Sequence, residues 1–189
     1  MARASKAVKA SNHKKIIDIA ARQIRNHGIE GLNVSDTMKQ AGLTHGGFYR
    51  HFESKNHLVH QAIEAAFSRF TQQLQEDLNT CTPEQALDRF LARYLSMEHV
   101  DNPEVGCPAA ALGTEIARSD EETKAVFSKG VSQITKLLDQ ALKGRKSPSG
   151  LDGRTLMTTL TGAITLARST SDETQKSDYL ANARKLLAG

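Results

Sequence analysis

The sequence has few cysteines, few prolines and no long apolar run, and each of these shortages argues against a class of protein. Two cysteines among 189 residues, Cys81 and Cys107, are too few for a disulfide framework and indicate a reducing compartment. Four prolines beside 13 glycines disfavour a turn-rich β-sandwich. No apolar run approaches the length of a membrane-spanning helix, and the basic N-terminus lacks the apolar segment of a secretory signal. We therefore expect a cytoplasmic protein without a membrane partner.

Positive charge is concentrated in the first third of the chain. Up to His60 there are ten lysines and arginines against four acidic residues, a net charge of +6. The remainder carries fifteen basic and seventeen acidic residues, a net charge of −2. A basic end on a near-neutral body is typical of a module that binds a polyanion, although a solvated charged surface is the alternative. The first basic cluster is either a solvated tail or an arm for a DNA minor groove, and it comprises Arg3, Lys6, Lys9, Lys14 and Lys15.

Helical periodicity extends over nearly the whole chain, and no segment has the alternation of a β-strand. The pattern predicts an all-α fold of about nine helices. Side chains that cap helices mark the expected starts at Asn33, Thr44, Ser54, Thr82 and Ser119. The predicted helices span about 14–26, 33–41, 44–51, 54–78, 83–101, 107–118, 119–143, 151–168 and 177–187. The segment 144–150 has linker composition and is predicted to be a loop.

A helix-turn-helix is predicted between Asn33 and Phe52. The first helix has about two turns, Gly42-Leu43 makes a tight break, and a second short helix follows from Thr44. Such a second helix can enter the major groove of DNA, which is wide enough for one helix. The alternative is a helical hairpin that only fills a core.

The second helix, read at 100° per residue, has an apolar side and an outward side. Phe48 and Phe52 lie on the apolar side. Two adjacent glycines, Gly46 and Gly47, lie on the outward side at a cost of about 1 kcal/mol each relative to alanine. That cost is understandable if the backbone must closely approach another surface. The predicted DNA-contacting residues are Thr44, His45, Gly46, Gly47, Tyr49, Arg50, His51 and Lys55.

These residues differ in what they are expected to contact. Arg50 has the reach for guanine O6 and N7, with a phosphate contact as the alternative. His45 lies at the entrance to the groove. The donors of Tyr49, His51 and Lys55 suit phosphate oxygens, helped by the N-terminal end of the helix that follows Ser54.

The segment from Gly28 to Lys55 resembles the DNA-binding domain of the TetR family of transcriptional regulators. The matching motifs are Ala41-Gly42-Leu43-Thr44, Gly46-Gly47-Phe48-Tyr49-Arg50-His51-Phe52 and Ser54-Lys55. The resemblance implies a homodimeric, ligand-responsive regulator, most often a repressor, that binds a palindromic operator. It also implies that residues 1–53 bind double-stranded DNA, whereas residues 54–189 dimerise and bind a small-molecule effector that moves the helix after Ser54.

The C-terminal part offers candidates for these two tasks. The expected effector-pocket residues, chosen as a partly apolar set, are Phe90, Tyr94, Met97, Leu112, Phe127 and Ile134. The dimer-interface candidates are Leu156, Leu160 and Ile164, in a small-residue stretch that suits close helix packing. Ordinary intramolecular core is an equally good interpretation of that stretch.

Cys107 follows Gly106 and precedes Pro108 at a predicted helix start, where the helix dipole can lower the pKa of a thiol. It is a candidate redox sensor, and some TetR-family members use a cysteine in this way. A small buried hydrophobic residue is the favoured alternative. No catalytic motif is present, so we expect neither an enzyme nor a cofactor. Two further alternatives are an architectural DNA-binding protein without an effector and a thiol-dependent enzyme that pairs Cys107 with His99.

Four histidines lie close together in the sequence. His57 and His60 are three residues apart and share a helix face, but no cysteine or paired carboxylate completes a ligand set with His45 or His51. We therefore expect no metal site.

Overall fold

The computed structural model describes residues 2–143 and 150–188, and this part of the chain is helical throughout, without a β-strand. The nine α-helices are α1 (Ala2–His27), α2 (Val34–Gln40), α3 (Lys55–Thr80), α4 (Pro83–Tyr94), α5 (Met97–Asp101), α6 (Pro108–Ile116), α7 (Glu121–Ala141), α8 (Gly153–Arg168) and α9 (Glu173–Ala188). A 3-10 helix, His45–Arg50, lies between α2 and α3. The all-α prediction is confirmed. The loop predicted at 144–150 lies, apart from Gly150, outside the described residues.

Three of the predicted N-caps are confirmed by their hydrogen bonds. Asn33 accepts from the Asp36 amide at 3.2 Å, and Ser54 accepts from the His57 amide at 3.0 Å. Thr82 forms a complete capping box with Gln85. These bonds satisfy amides that the first turn of a helix leaves without a partner, which is why the caps could be identified from residue type.

The structure corrects several other helix limits. α1 begins at Ala2, so the basic cluster predicted as a tail or an arm belongs to a helix. The helix expected over 83–101 is broken at Leu95, and Ser96 caps the separate helix α5. α7 is capped by Asp120, which accepts from the Thr123 amide at 2.7 Å, and not by Ser119. α9 begins at Glu173, earlier than expected.

The long helix α3 is the centre of the fold. It packs extensively against α1 on one side and α7 on another, and α8 packs against both α7 and α9. The interhelical core includes Phe67, Leu74, Leu87, Leu112 and Ile134, each at most 2% exposed. Because α3 contacts both α1 and the C-terminal helices, a movement among those helices can reach the N-terminal region.

Candidate nucleic-acid interface and effector cleft

The N-terminal helices form a helix-turn-helix. α2 ends at a turn in which Gly42 has φ +77°, a conformation that favours glycine. The Leu43 amide then donates to the Met38 carbonyl at 2.9 Å. The second helix is a 3-10 helix of six residues, tighter than the α-helix that the sequence predicted. The Thr44 side chain precedes it without a capping hydrogen bond in the described part of the chain.

An aromatic core holds the 3-10 helix against α1. Phe48 and Phe52 are 3% and 2% exposed, and their ring centroids lie 5.4 Å apart. His13 of α1 stacks on Phe52 at 4.6 Å. The predicted apolar side of the second helix is confirmed, because both phenylalanines face the core.

The opposite side of the 3-10 helix is exposed. Tyr49 is 74% exposed, and His45 and Arg50 are also exposed. No described atom lies within 4 Å of the position that a Cβ on Gly46 would occupy, so packing within the chain does not require glycine there. A Cβ on Gly47 would lie 3.5 Å from Cε of Met38, an ordinary contact. This surface is therefore free to approach another molecule closely.

Two of the predicted DNA-contacting residues are less accessible than expected. His51 is half-buried, with its ring centroid 5.9 Å from that of His13. Burial, followed by the charges of His13 and Lys9, lowers the pKa of His51. Lys55 is half-buried at the first position of α3. Lys39, which no sequence motif marked, is exposed at the end of α2 in the reading domain, formed by α1, α2 and the 3-10 helix.

A second feature is a cleft of about 340 Å³ between α3, α4 and the α5–α6 connection. Its aromatic residues are Phe70, Phe90 and Tyr94, whose ring centroids lie 5.5 to 6.1 Å apart. Most of the other lining residues are charged or polar, including Arg69, Gln73, Arg93, Glu98 and Asn102.

The structure brings two of the six predicted pocket residues together in this cleft, Phe90 and Tyr94. Met97 is not among the lining residues. Leu112 and Ile134 have no exposed surface, and Phe127 packs on Phe67 at 5.3 Å, so these three contribute to the core between helices. An apolar pattern alone does not separate a cavity wall from a core, because both require buried hydrophobic side chains.

His99 lines the cleft, and Cys107 is buried next to it. His99 Nδ1 donates to the Tyr94 carbonyl at 2.7 Å, and the Cys107 amide donates to His99 Nε2 at 2.8 Å. Burial lowers the pKa of His99 to about 4, so the imidazole is neutral at pH 7. Cys107 is fully buried, and burial raises the pKa of its thiol more than the Tyr94 hydroxyl and the first amides of α6 lower it.

Three contacts connect the reading domain to the region around the cleft. Arg69 of α3 pairs with Asp18 of α1 at 2.5 Å. Arg25 of α1 donates to the carbonyl of Gly106, which lines the cleft, at 3.1 Å, and burial lowers its pKa to about 10. Glu115 of α6 accepts from the Ile29 and Glu30 amides at 2.9 and 3.0 Å. These long-range contacts could not be read from the sequence, because each joins residues more than 50 positions apart.

Residues 16–62, which extend from α1 through the turn into α3, match the sequence profile of bacterial regulatory proteins of the tetR family. The chain thus carries the tetR-family signature over these residues. It is similar to the HTH-type transcriptional repressor NemR of Escherichia coli, with 29% identity over 124 residues, 64% of this chain and 62% of NemR. The alignment therefore spans less than two thirds of that relative. KstR2 of Mycolicibacterium smegmatis, an HTH-type transcriptional repressor, is 27% identical over 92 residues, 48% of this chain and 45% of KstR2.

Solved structures establish that the TetR fold extends over nearly the whole chain. The reduced form of E. coli NemR has a TM-score of 0.75 at 20% identity, over 94% of this chain and 97% of that one. A TetR-family regulator from Cytophaga hutchinsonii has a TM-score of 0.76 at 20% identity, over 96% and 95% of the two chains. The similarity includes the C-terminal helices that the family profile does not reach.

The dimer-interface candidates lie on the inner face of α8. Leu156, Leu160 and Ile164 are at most 1% exposed within a single chain, so they belong to the intramolecular core. The opposite face of α8 carries exposed Gly162 and Leu166, and Leu166 is 50% exposed.

The geometry around Cys107 disfavours a thiol–imidazole catalytic pair. His99 is adjacent to Cys107, but its Nε2 accepts the backbone amide and its Nδ1 donates to the Tyr94 carbonyl. Both ring nitrogens are therefore engaged, and neither is available as a base for the sulfur.

Three further histidines make side-chain hydrogen bonds, and those of His13 and His60 join different helices. His13 and His57 both bond to the Gln61 side chain, at 2.8 and 2.6 Å, and His60 bonds to the Thr123 hydroxyl at 2.9 Å. Among residues 2–143 and 150–188, no group of three or more histidines, cysteines or carboxylates is arranged to hold a metal ion. No helix in these ranges is long and apolar enough to cross a membrane.

Proposed function

We propose that this protein is a transcriptional repressor that binds a palindromic operator as a homodimer and is released by a small molecule. The observation that carries this proposal is the exposed face of the 3-10 helix, which is fixed from behind by Phe48 and Phe52. The positive charge of the first third of the chain supports the same assignment, because it attracts DNA phosphates. The similarity to NemR and KstR2, which are transcriptional repressors, adds support for repression.

The reading surface divides into base and phosphate contacts. Arg50, exposed on the 3-10 helix, reads a base edge, and Gly46 and Gly47 allow close approach of the backbone. Thr44, His45 and Tyr49 contact the groove entrance and the phosphates. His51 and Lys55, both half-buried, approach phosphates with their outer atoms. Residues 1–53 form this DNA-binding part.

Residues 54–189 sense the effector and dimerise. The aromatic cleft that contains Phe90 and Tyr94 receives the effector, at a volume within the usual range for small-molecule sites. The outward face of α8 and α9, with Gly162, Leu166 and Leu186, packs against a second copy, since it leaves two leucines 50% and 65% exposed. The protein is a regulator rather than an enzyme, acts in the cytoplasm and needs no cofactor.

Modification of Cys107 is the second candidate trigger for release. The cysteine directly follows Gly106, which lines the cleft, so a change at its sulfur would disturb the same region. Its complete burial and raised pKa favour the role of a small hydrophobic residue in the conformation described.

The test is selection of bound fragments from the source genome by the purified protein. A repressor of this kind enriches a palindromic site whose half-sites lie one helical turn, about 34–36 Å, or a multiple of it apart. Uniform recovery of fragments at modest salt would instead favour the architectural DNA-binding protein. Repeating the selection with peroxide and with the Cys107→Ser variant separates thiol modification from a bound effector.

A further inference from the structure

The aromatic cleft is lined by more basic than acidic side chains. Arg69 and Arg93 are the basic residues of its lining, and Glu98 is the acidic one. His99 also lines the cleft but is neutral at pH 7, because burial lowers its pKa to about 4. The cleft therefore offers two guanidinium groups beside a cluster of aromatic rings, a combination that suits a planar apolar molecule with a negative charge.

The two arginines have different ion-pair partners, so displacing each of them would break a different contact. Arg93 binds the buried carboxylate of Asp77 at 2.7 Å, and Arg89 binds the same carboxylate at 3.3 Å. Asp77 is thus held by two partners within the C-terminal helices. Arg69 instead pairs with Asp18, and this pair joins α3 to α1 of the reading domain.

Arg69 lies on the boundary between the cleft and the α1–α3 contact. Its side chain is 40% exposed, and that of Asp18 is 26% exposed, so both can exchange partners without leaving a fully buried charge. Burial, followed by the charge of Arg69, lowers the pKa of Arg25, the α1 residue that donates to the Gly106 carbonyl at the cleft margin. Charge in the cleft is therefore coupled to two contacts with α1.

We propose that the effector is an aromatic carboxylate whose negative group binds Arg69 in competition with Asp18, which weakens the attachment of α1 to α3. This inference rests on the proposed function and adds the chemical class of the effector and the contact that transmits its binding. The two effects are thermodynamically linked. If the Asp18 contact lowers the affinity for the effector by a given factor, then bound effector weakens the Asp18–Arg69 contact by the same factor.

The experiment uses 2-naphthoate as the probe and its neutral analogue 2-naphthamide, with the full-length protein. Calorimetry measures binding, and fluorescence anisotropy of a selected operator measures release. We expect the acid to bind at least about tenfold more tightly than the amide, because only the acid forms charge-assisted hydrogen bonds with Arg69. We also expect only the acid to release the operator.

Two variants and a control separate charge recognition from packing. Arg69→Gln should bring the affinities of acid and amide to within about twofold of each other, because the charged hydrogen bonds account for their difference. Asp18→Asn should bind the acid more tightly than the unmodified protein, and its operator complex should respond less to it. Arg118→Gln, which changes an exposed arginine outside the cleft, should behave like the unmodified protein.

The outcomes separate failure of the carboxylate proposal from failure of the proposed repressor function. Equal release of the operator by acid and amide would overturn the carboxylate proposal while supporting a cleft that senses a small molecule. Binding of neither probe would overturn the proposal as well. A protein that enriches no operator at all would contradict the proposed function, whatever calorimetry finds.

Discussion

At the scale of single residues, His99 connects the end of α4 to the start of α6. Its Nδ1 must carry the hydrogen that it donates to Tyr94, and its Nε2 must be free to accept the Cys107 amide. If the ring carried a second proton, the N–H at Nε2 would point at the N–H of Cys107. The fold therefore selects the neutral imidazole, in agreement with a pKa lowered to about 4 by burial.

This arrangement predicts a specific loss of stability in acid. An unfolded histidine takes up a proton near pH 6.5, whereas folded His99 does so only near pH 4. The unfolded state then binds more protons, so the free energy of unfolding falls as the pH decreases from about 6.5 to 4. The contribution of His99 is fully present above this window and is on the order of 3 kcal/mol.

The measurement is urea unfolding at several pH values for the unmodified protein and for His99→Gln. Glutamine can both donate and accept at this site but does not titrate, so the slope between pH 6.5 and 4 should become shallower. His27→Gln, which alters an exposed histidine, should keep the original slope. An unchanged slope in His99→Gln would contradict this role.

The two cysteines should differ sharply in reactivity. Cys81 is half-buried at the end of α3, whereas Cys107 has no exposed surface and a thiol pKa raised by burial. In Cys81→Ser, a disulfide reagent should label Cys107 slowly, and the reaction should accelerate in urea. In Cys107→Ser, the same reagent should label Cys81 rapidly, and the variant should still bind DNA. Fast native labelling of Cys107 would favour the sensor hypothesis instead.

At the scale of elements, α6 is attached to the reading domain at its C-terminal end. Glu115 accepts two backbone amides that follow α1, where Gly28 adopts φ +76° and its Cβ position is filled by the same carboxylate. We expect Glu115→Ala to lower the free energy of unfolding by about 1–2 kcal/mol, because it leaves those amides without their partner. Chemical denaturation provides the value.

Glu121→Ala is the matched control for that variant. Glu121 pairs only with Lys124 on the surface of α7 among the described residues, so its loss should change stability by less than about 0.5 kcal/mol. Equal effects of the two substitutions would mean that the Glu115 contact does not stabilise the α1–α6 connection.

The sequence predicted those features of the elements that depend on local chemistry. Side chains at Asn33, Ser54 and Thr82 cap their own helices, and Phe48 and Phe52 face the core at the predicted spacing. The break at Leu95 was missed because no glycine or proline marks it. The 3-10 geometry of the second helix was missed because a run of six residues fits either helical period.

The cleft was only partly predictable for a different reason. Phe90 and Tyr94 follow from the apolar face of α4, but Leu112 and Ile134 have the same pattern and lie in the core. Arg69 became recognisable as a cleft residue only when the fold placed α3 beside α4 and α1. Pairings across such sequence distances are set by tertiary packing, which a local pattern does not contain.

At the scale of the whole molecule, the outward face of α8 and α9 predicts the oligomeric state. Two copies of the 20.6 kDa chain should associate through it, because Leu166 is 50% exposed there. Leu166→Glu should shift the protein toward the monomer in light scattering, since burying an unpaired carboxylate is costly. Val105→Glu, at another exposed apolar residue, should remain dimeric. A dimer unaffected by Leu166→Glu would place the interface elsewhere.

The exposed face of the 3-10 helix is proposed to read DNA, and the affinity for a selected operator, measured across a range of salt concentrations, tests this role. Arg50→Ala should cost about 1–3 kcal/mol and relax sequence preference, since it removes a base contact. Lys55→Ala should weaken binding to all sequences alike and reduce the salt slope by about one unit per subunit. Lys129→Ala, on α7, should bind as the unmodified protein does. If the Arg50 and Lys55 variants also bind like the unmodified protein, this face does not read DNA.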